Sequence, residues 1–100
     1  MAGYHDTVKA MERDYKLGRL EIRREGGKVL FSGSTYGCKE VIKGMVPAGC
    51  AAAWNKAEKR WELDADDIKS SYIALLEEIT GGELVEFAGY VNGKPVFSWK

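Results

Sequence analysis

Apolar residues recur at helical spacing at Val8, Met11 and Tyr15, which predicts a short amphipathic helix from Asp6 to Leu17. Asp6 or Thr7 can cap its start, and Gly18 stops it. The period then drops to two. Arg19-Leu20-Glu21-Ile22-Arg23-Arg24 alternates, Glu25-Gly26-Gly27 supplies a turn, and Lys28-Val29-Leu30-Phe31-Ser32 resumes β-type residues, predicting a hairpin. Leu20 and Ile22 then face the core, with Arg19, Glu21 and Arg23 on the opposite face. Helical spacing returns at Cys38, Val41, Ile42 and Met45 behind a cap from Ser34 or Thr35. Lys39, Glu40 and Lys43 fall on the other face of that helix, and Pro47 and Gly49 end it.

Cys50 to Trp54 and Lys59 to Leu63 flank the polar loop Asn55-Lys56-Ala57-Glu58, which predicts a second hairpin. Alanine favours helix, so one helix from Ala51 to Trp61 is the competing reading. Asp64, Asp66 and Asp67 put acids at the start of a third helix, where the macrodipole favours them. Its apolar stripe is Ile68, Tyr72, Leu75, Leu76 and Ile79, and Gly81-Gly82 ends it. Leu84 to Phe87 and Pro95 to Trp99 surround Asn92-Gly93, a strong signal for a type I′ hairpin. The order is αββαββαββ, an α+β single domain with an antiparallel or mixed sheet and helices packed on a face. Its parts are a helical segment over 1–18, a ββαββα core over 19–80 and a terminal hairpin over 83–100.

One hundred residues, 45% hydrophobic and 30% charged, suit one core and leave no room for a second. With 11% aromatic residues and two prolines, disorder is excluded. Fifteen Lys and Arg against fifteen Asp and Glu give zero net charge, which argues against a nucleic-acid coat that binds by bulk charge. The balance is uneven along the chain. Residues 1–60 hold twelve basic and seven acidic side chains, a net of +5, and residues 61–100 hold three and eight, a net of −5. Neither an apolar leader core after Met1 nor a membrane-length apolar run occurs, so a soluble, cytoplasmic chain without a membrane partner is expected.

Cys38 and Cys50 lack C-x-x-C spacing and sit among apolar neighbours, which predicts two buried, reduced thiols. Two dispersed cysteines and one histidine do not make a zinc site, and His5 is expected to be inert in a frayed end. Asp64, Asp66 and Asp67 lack the glycine and terminal glutamate of a calcium loop. The glycine pairs belong to no phosphate-binding fingerprint, and Glu77, Glu78, Ser70 and Ser71 have no histidine nearby in sequence. No enzymatic activity and no cofactor are expected.

Trp54 and Trp61 would oppose one another on adjacent strands, and indoles on a half-buried sheet fill a core. Exposed instead, they could stack an unpaired base beside Lys56, Lys59 and Arg60. Arg19, Arg23, Arg24 and Lys28 form a second basic group on the first hairpin, which could join Lys39 and Lys43 in one stripe.

The run Thr35-Tyr36-x-x-Lys39-x-x-Ile42-Lys43, continued by Trp54-Asn55-Lys56-Ala57-Glu58-Lys59-Arg60-Trp61, resembles the HARP domain of annealing helicases and its short phage and plasmid relatives. Val41-Ile42 stands for the family's helix pair, and the likeness spans residues 19–79. Ala52 replaces the basic residue that commonly precedes the family's aromatic, and Asn55 replaces its acid, which removes a phosphate contact there. The resemblance implies a non-catalytic DNA-binding module for single strands or forks. Its expected contacts are Arg19, Arg23, Arg24, Lys28, Lys39, Lys43, Trp54, Lys56, Lys59 and Arg60. The alternative is a phage-type inhibitor or adaptor, such as an anti-CRISPR or other anti-defence protein, bound to a host nucleic-acid-processing complex. Asp64, Asp66, Asp67, Glu77 and Glu78 would then occupy a basic groove on the partner. The chain is expected to be a monomer, or a homodimer through Phe87, Val91, Phe97 and Trp99 of the last hairpin.

Overall fold

The computed structural model describes residues 4–100, so residues 1–3 of the segment assigned to the first helix lie outside it. Helix α1 runs Tyr4–Lys16 and buries Val8 and Met11. It begins earlier than the capping residues imply, which puts Asp6 and Thr7 inside its first turn and gives His5 an exposed helical position rather than a frayed one. Gly18, at φ +76, ends it, with Arg19 N–H returning to the Asp14 carbonyl at 2.8 Å.

Strands β1 (Leu20–Glu25) and β2 (Lys28–Gly33) form the first hairpin. A 3-10 turn, Tyr36–Cys38, leads into the short helix α2 (Lys39–Gly44). Thr35 sits at the start of this turn without a side-chain cap bond, yet the expected stripe Cys38, Val41, Ile42 and Met45 is buried. Strands β3 (Ala52–Asn55) and β4 (Arg60–Asp64) are the second hairpin, which excludes the competing helix over Ala51 to Trp61. Asn55 decides that turn: its side-chain oxygen accepts the Glu58 N–H at 3.0 Å, and Lys59 adopts φ +54.

A second 3-10 turn, Ala65–Asp67, precedes helix α3 (Ser70–Thr80). Asp64, Asp66 and Asp67 therefore do not open α3 as expected. Ile68 is buried in an extended conformation, and Lys69 N–H donates to the Met45 carbonyl at 2.8 Å, so tertiary contacts pull the chain out of helix between the acids and Ser70. Strands β5 (Val85–Val91) and β6 (Lys94–Trp99) make the last hairpin, with Asn92 at φ +54 and Gly93 at φ +77, the positive pair that a type I′ turn requires.

The order αββαββαββ stands, but the strands form two antiparallel sheets rather than one: β1-β2-β4-β3 and β5-β6. The register puts Leu20 and Ile22 of β1, Val29 and Phe31 of β2, Trp61 and Leu63 of β4, and Ala52 and Trp54 of β3 on one face. The buried members of this row join Met11, Ile42, Leu76, Ile79 and Val85 in a single core. A radius of gyration of 13.1 Å agrees with the roughly 13 Å of a one-domain chain this long. No described helix is long and apolar enough to cross a membrane.

The terminal hairpin divides along its length. Val85, Phe97 and Trp99 pack on the core, whereas Phe87, Tyr90, Val91 and Val96 are exposed, so the four residues expected to make a dimer contact do not share one environment. A bulge between Phe87 and Gly89 interrupts β5, and Pro95 withholds an N–H from the outer edge of β6. Cys38 is buried as expected, but Cys50 is exposed because it follows Gly49, at φ +94, in a surface turn closed onto the Pro47 carbonyl.

Tyr15, on α1, donates its hydroxyl to Glu83 at 2.6 Å and ties the helix to the loop before β5. Burial, then the Glu83 hydrogen bond and charge, push the Tyr15 phenol up to about 12 from 10.0. A raised folded value favours the protonated fold, so its stabilising contribution is complete below pH 10 and is lost as pH rises toward 12. Urea unfolding between these pH values should give a steeper loss of stability for the native chain than for Tyr15→Phe. Equal slopes would remove this link.

Candidate nucleic-acid interface

The helix-covered face of the larger sheet runs out at its edge strand β3, and the cleft lies there. Trp54 and Trp61 are direct cross-strand partners with ring centres 5.5 Å apart and planes tilted by 57°. Such a pair contributes roughly 0.2–1 kcal/mol. Trp61 packs against the core, but Trp54 remains 46% exposed, which corrects the expectation that both indoles fill the interior. Short α2 buries its apolar stripe without covering the edge strand.

Lining the same cleft is Tyr36, 83% exposed on the turn before α2. Lys39 Nζ lies 4.6 Å from the Tyr36 ring centre, and Lys43 Nζ lies 5.7 Å from that of Trp61. Each is a cation–π contact of about 0.5–1 kcal/mol at an exposed site. These five side chains, with Gly33 and Thr35, line a cleft of about 520 Å³. Gly33 stands at φ +87, where a side chain would collide with the Arg19 carbonyl. Glu40, 3.9 Å from Lys43, is the nearby acid.

Sequence reasoning misses Tyr36 as a contact residue. The available signal was its place outside the buried stripe Cys38, Val41, Ile42 and Met45, three residues before Lys39.

The remaining basic residues do not form one stripe with Lys39 and Lys43. Arg23, Lys28 and Arg60 project from the opposite, open face of the sheet, where each has acidic neighbours. Arg23 meets Glu21 at 2.8 Å and Glu25 at 3.4 Å. Glu62 receives Arg60 at 2.8 Å, Asn55 at 2.9 Å and Lys28 at 4.0 Å. Hydrogen bonds from Arg60 and Asn55 hold the Glu62 carboxyl below its ordinary range. Leu30 is 4% exposed on this face, outside the main core and beside the charged rows. Arg24 turns to the Gly26 and Lys100 carbonyls, and Arg19 is exposed just before β1. Lys56 and Lys59 stand exposed on the turn between the two Trp-bearing strands and have no ion pair among the described residues.

The acidic residues disperse as well. Asp64, Asp66 and Asp67 precede α3, while Glu77 and Glu78 lie in its last turns, about 10 Å further along the axis at 1.5 Å per residue.

A larger hollow of about 680 Å³ follows β1 between Tyr15, Ile79 and Glu83. Its charged rim is internally paired, Lys16 with Glu12 and Arg23 with Glu21, and Tyr15 bonds Glu83. Of these two hollows the smaller combines exposed rings with cations, so chemistry rather than volume selects it. Cys38 lines a separate hollow between α1 and the turn Tyr36–Cys38, with its thiol pushed up to about 11, first by burial and then by the Asp14 charge, which keeps it protonated near neutral pH. Among the described residues no three His, Cys, Asp or Glu side chains gather to hold a metal ion. No family model matches the chain, and no curated protein or solved structure does.

Proposed function

We propose that this chain is a small non-catalytic module that binds single-stranded or forked DNA through the cleft between Tyr36 and Trp54. The observation that carries the reading is the pairing of two exposed aromatic faces with Lys39 and Lys43 on one cleft. Aromatic faces accept any base, and lysines hold the phosphates beside it. The resemblance of residues 19–79 to the HARP domain points to the same class of ligand.

Lys39, Lys43, Lys56 and Lys59 set the expected salt response. Four phosphate contacts at about 0.7 per phosphate give a log–log slope near −3, so affinity should fall about 50-fold between 50 and 200 mM salt. Fluorescence anisotropy with labelled single-stranded and forked DNA measures this directly. Absence of binding at about 50 mM salt would sink the proposal.

A further inference from the structure

We infer that the cleft takes a single unpaired nucleobase, laid on the Tyr36 and Trp54 rings, with flanking phosphates held by the α2 lysines and the β3–β4 turn lysines. The inference rests on the DNA-binding reading and defines the piece of strand that is recognised. A cleft of about 520 Å³ belongs to the size range of small-ligand pockets, room enough for one nucleotide. Lys39 and Lys43 line the cleft, and Lys56 and Lys59 are exposed on the turn that follows the Trp54 strand.

Arg23, Lys28 and Arg60 do not extend this group of cations, because they are on the opposite face and already neighboured by carboxylates. The footprint is therefore short, about four nucleotides, at the lower end of known single-strand sites. A base inside a duplex has no free face for the rings, so paired DNA is excluded.

The cation–π contact at Tyr36 adds a coupling. In the free protein Lys39 lies over the Tyr36 ring. A base arriving alone displaces an ammonium group and gives it nothing in return. Phosphate alone leaves the rings unfilled. A nucleotide unit does both: the base takes a ring face and the released ammonium moves to the adjoining phosphate. Nucleoside and inorganic phosphate should each compete poorly, and the joined unit well.

The test uses tryptophan fluorescence of the intact chain at about 50 mM salt. It is titrated with a twelve-nucleotide adenine strand, a four-nucleotide adenine strand, an abasic twelve-mer carrying the same phosphates, and a twelve-base-pair duplex. The tetramer is expected to bind within about threefold of the twelve-mer, and the abasic strand and the duplex at least about tenfold more weakly. Equal binding of the abasic strand, equal binding of the duplex, or failure of the tetramer overturns this inference while leaving DNA binding intact. Failure of every oligonucleotide overturns the DNA-binding reading and this inference with it.

Discussion

Phe31→Ala is expected to lower the unfolding free energy by about 3–5 kcal/mol, the usual cost of deleting a fully buried aromatic ring. Phe31 has no solvent exposure and lies on β2, between Ile22 of β1 and Trp61 of β4. Strands on both sides hold the backbone, so the surroundings have little freedom to collapse into the space left behind. Against a total of about 5–15 kcal/mol, this loss brings a 100-residue domain close to unfolding. With a urea dependence near 2 kcal/mol/M, the midpoint should drop by about 2 M. A midpoint unchanged from the native chain would mean that β2 does not carry Phe31 into the core.

The second large effect is on binding. The double variant Tyr36→Ala, Trp54→Ala should bind single-stranded DNA about 100-fold more weakly, because each lost stacking face is worth roughly 1–3 kcal/mol. Stability should barely move. Tyr36 is mostly in solvent, where substitutions stay within about 0.5 kcal/mol, and Trp54 gives up only its pairing with Trp61. Anisotropy titration and urea unfolding of the same preparation separate the two quantities. Native affinity in a folded double variant would remove the cleft from the account.

Much of the fold was legible because two periods, near 3.6 and near 2, survive in the sequence. The stripe Cys38, Val41, Ile42 and Met45 and the alternation at Leu20 and Ile22 identify buried faces without knowledge of neighbours. Asn92-Gly93 fixes a turn through backbone sterics alone. What failed depended on partners distant in sequence. The acids at Asp64, Asp66 and Asp67 look like a helix start until the Lys69 bond to Met45 is known. The basic residues look like one stripe because alternation assigns faces within a strand and does not say beside which face Lys39 and Lys43 of α2 will lie. Cys50 looks apolar beside its alanines, but the left-handed turn at Gly49 carries it outward. Most of the candidate cleft was readable, since Trp54 and Trp61 were placed opposite one another and Lys39 and Lys43 were among the expected contacts. Tyr36 was hidden because the exposure of an aromatic side chain depends on where the neighbouring helix stops.

The terminal ribbon exposes Phe87, Tyr90, Val91 and Val96, a composition that ordinarily invites strand-by-strand growth into fibrils. Its two borders are spoiled by different means, a kink at Ala88 on one and an imino acid on the other. Restoring regular borders by deleting Ala88 and exchanging Pro95 for threonine would turn the same ribbon into a template for its own kind. The ribbon thus keeps its greasy surface without the means to propagate it.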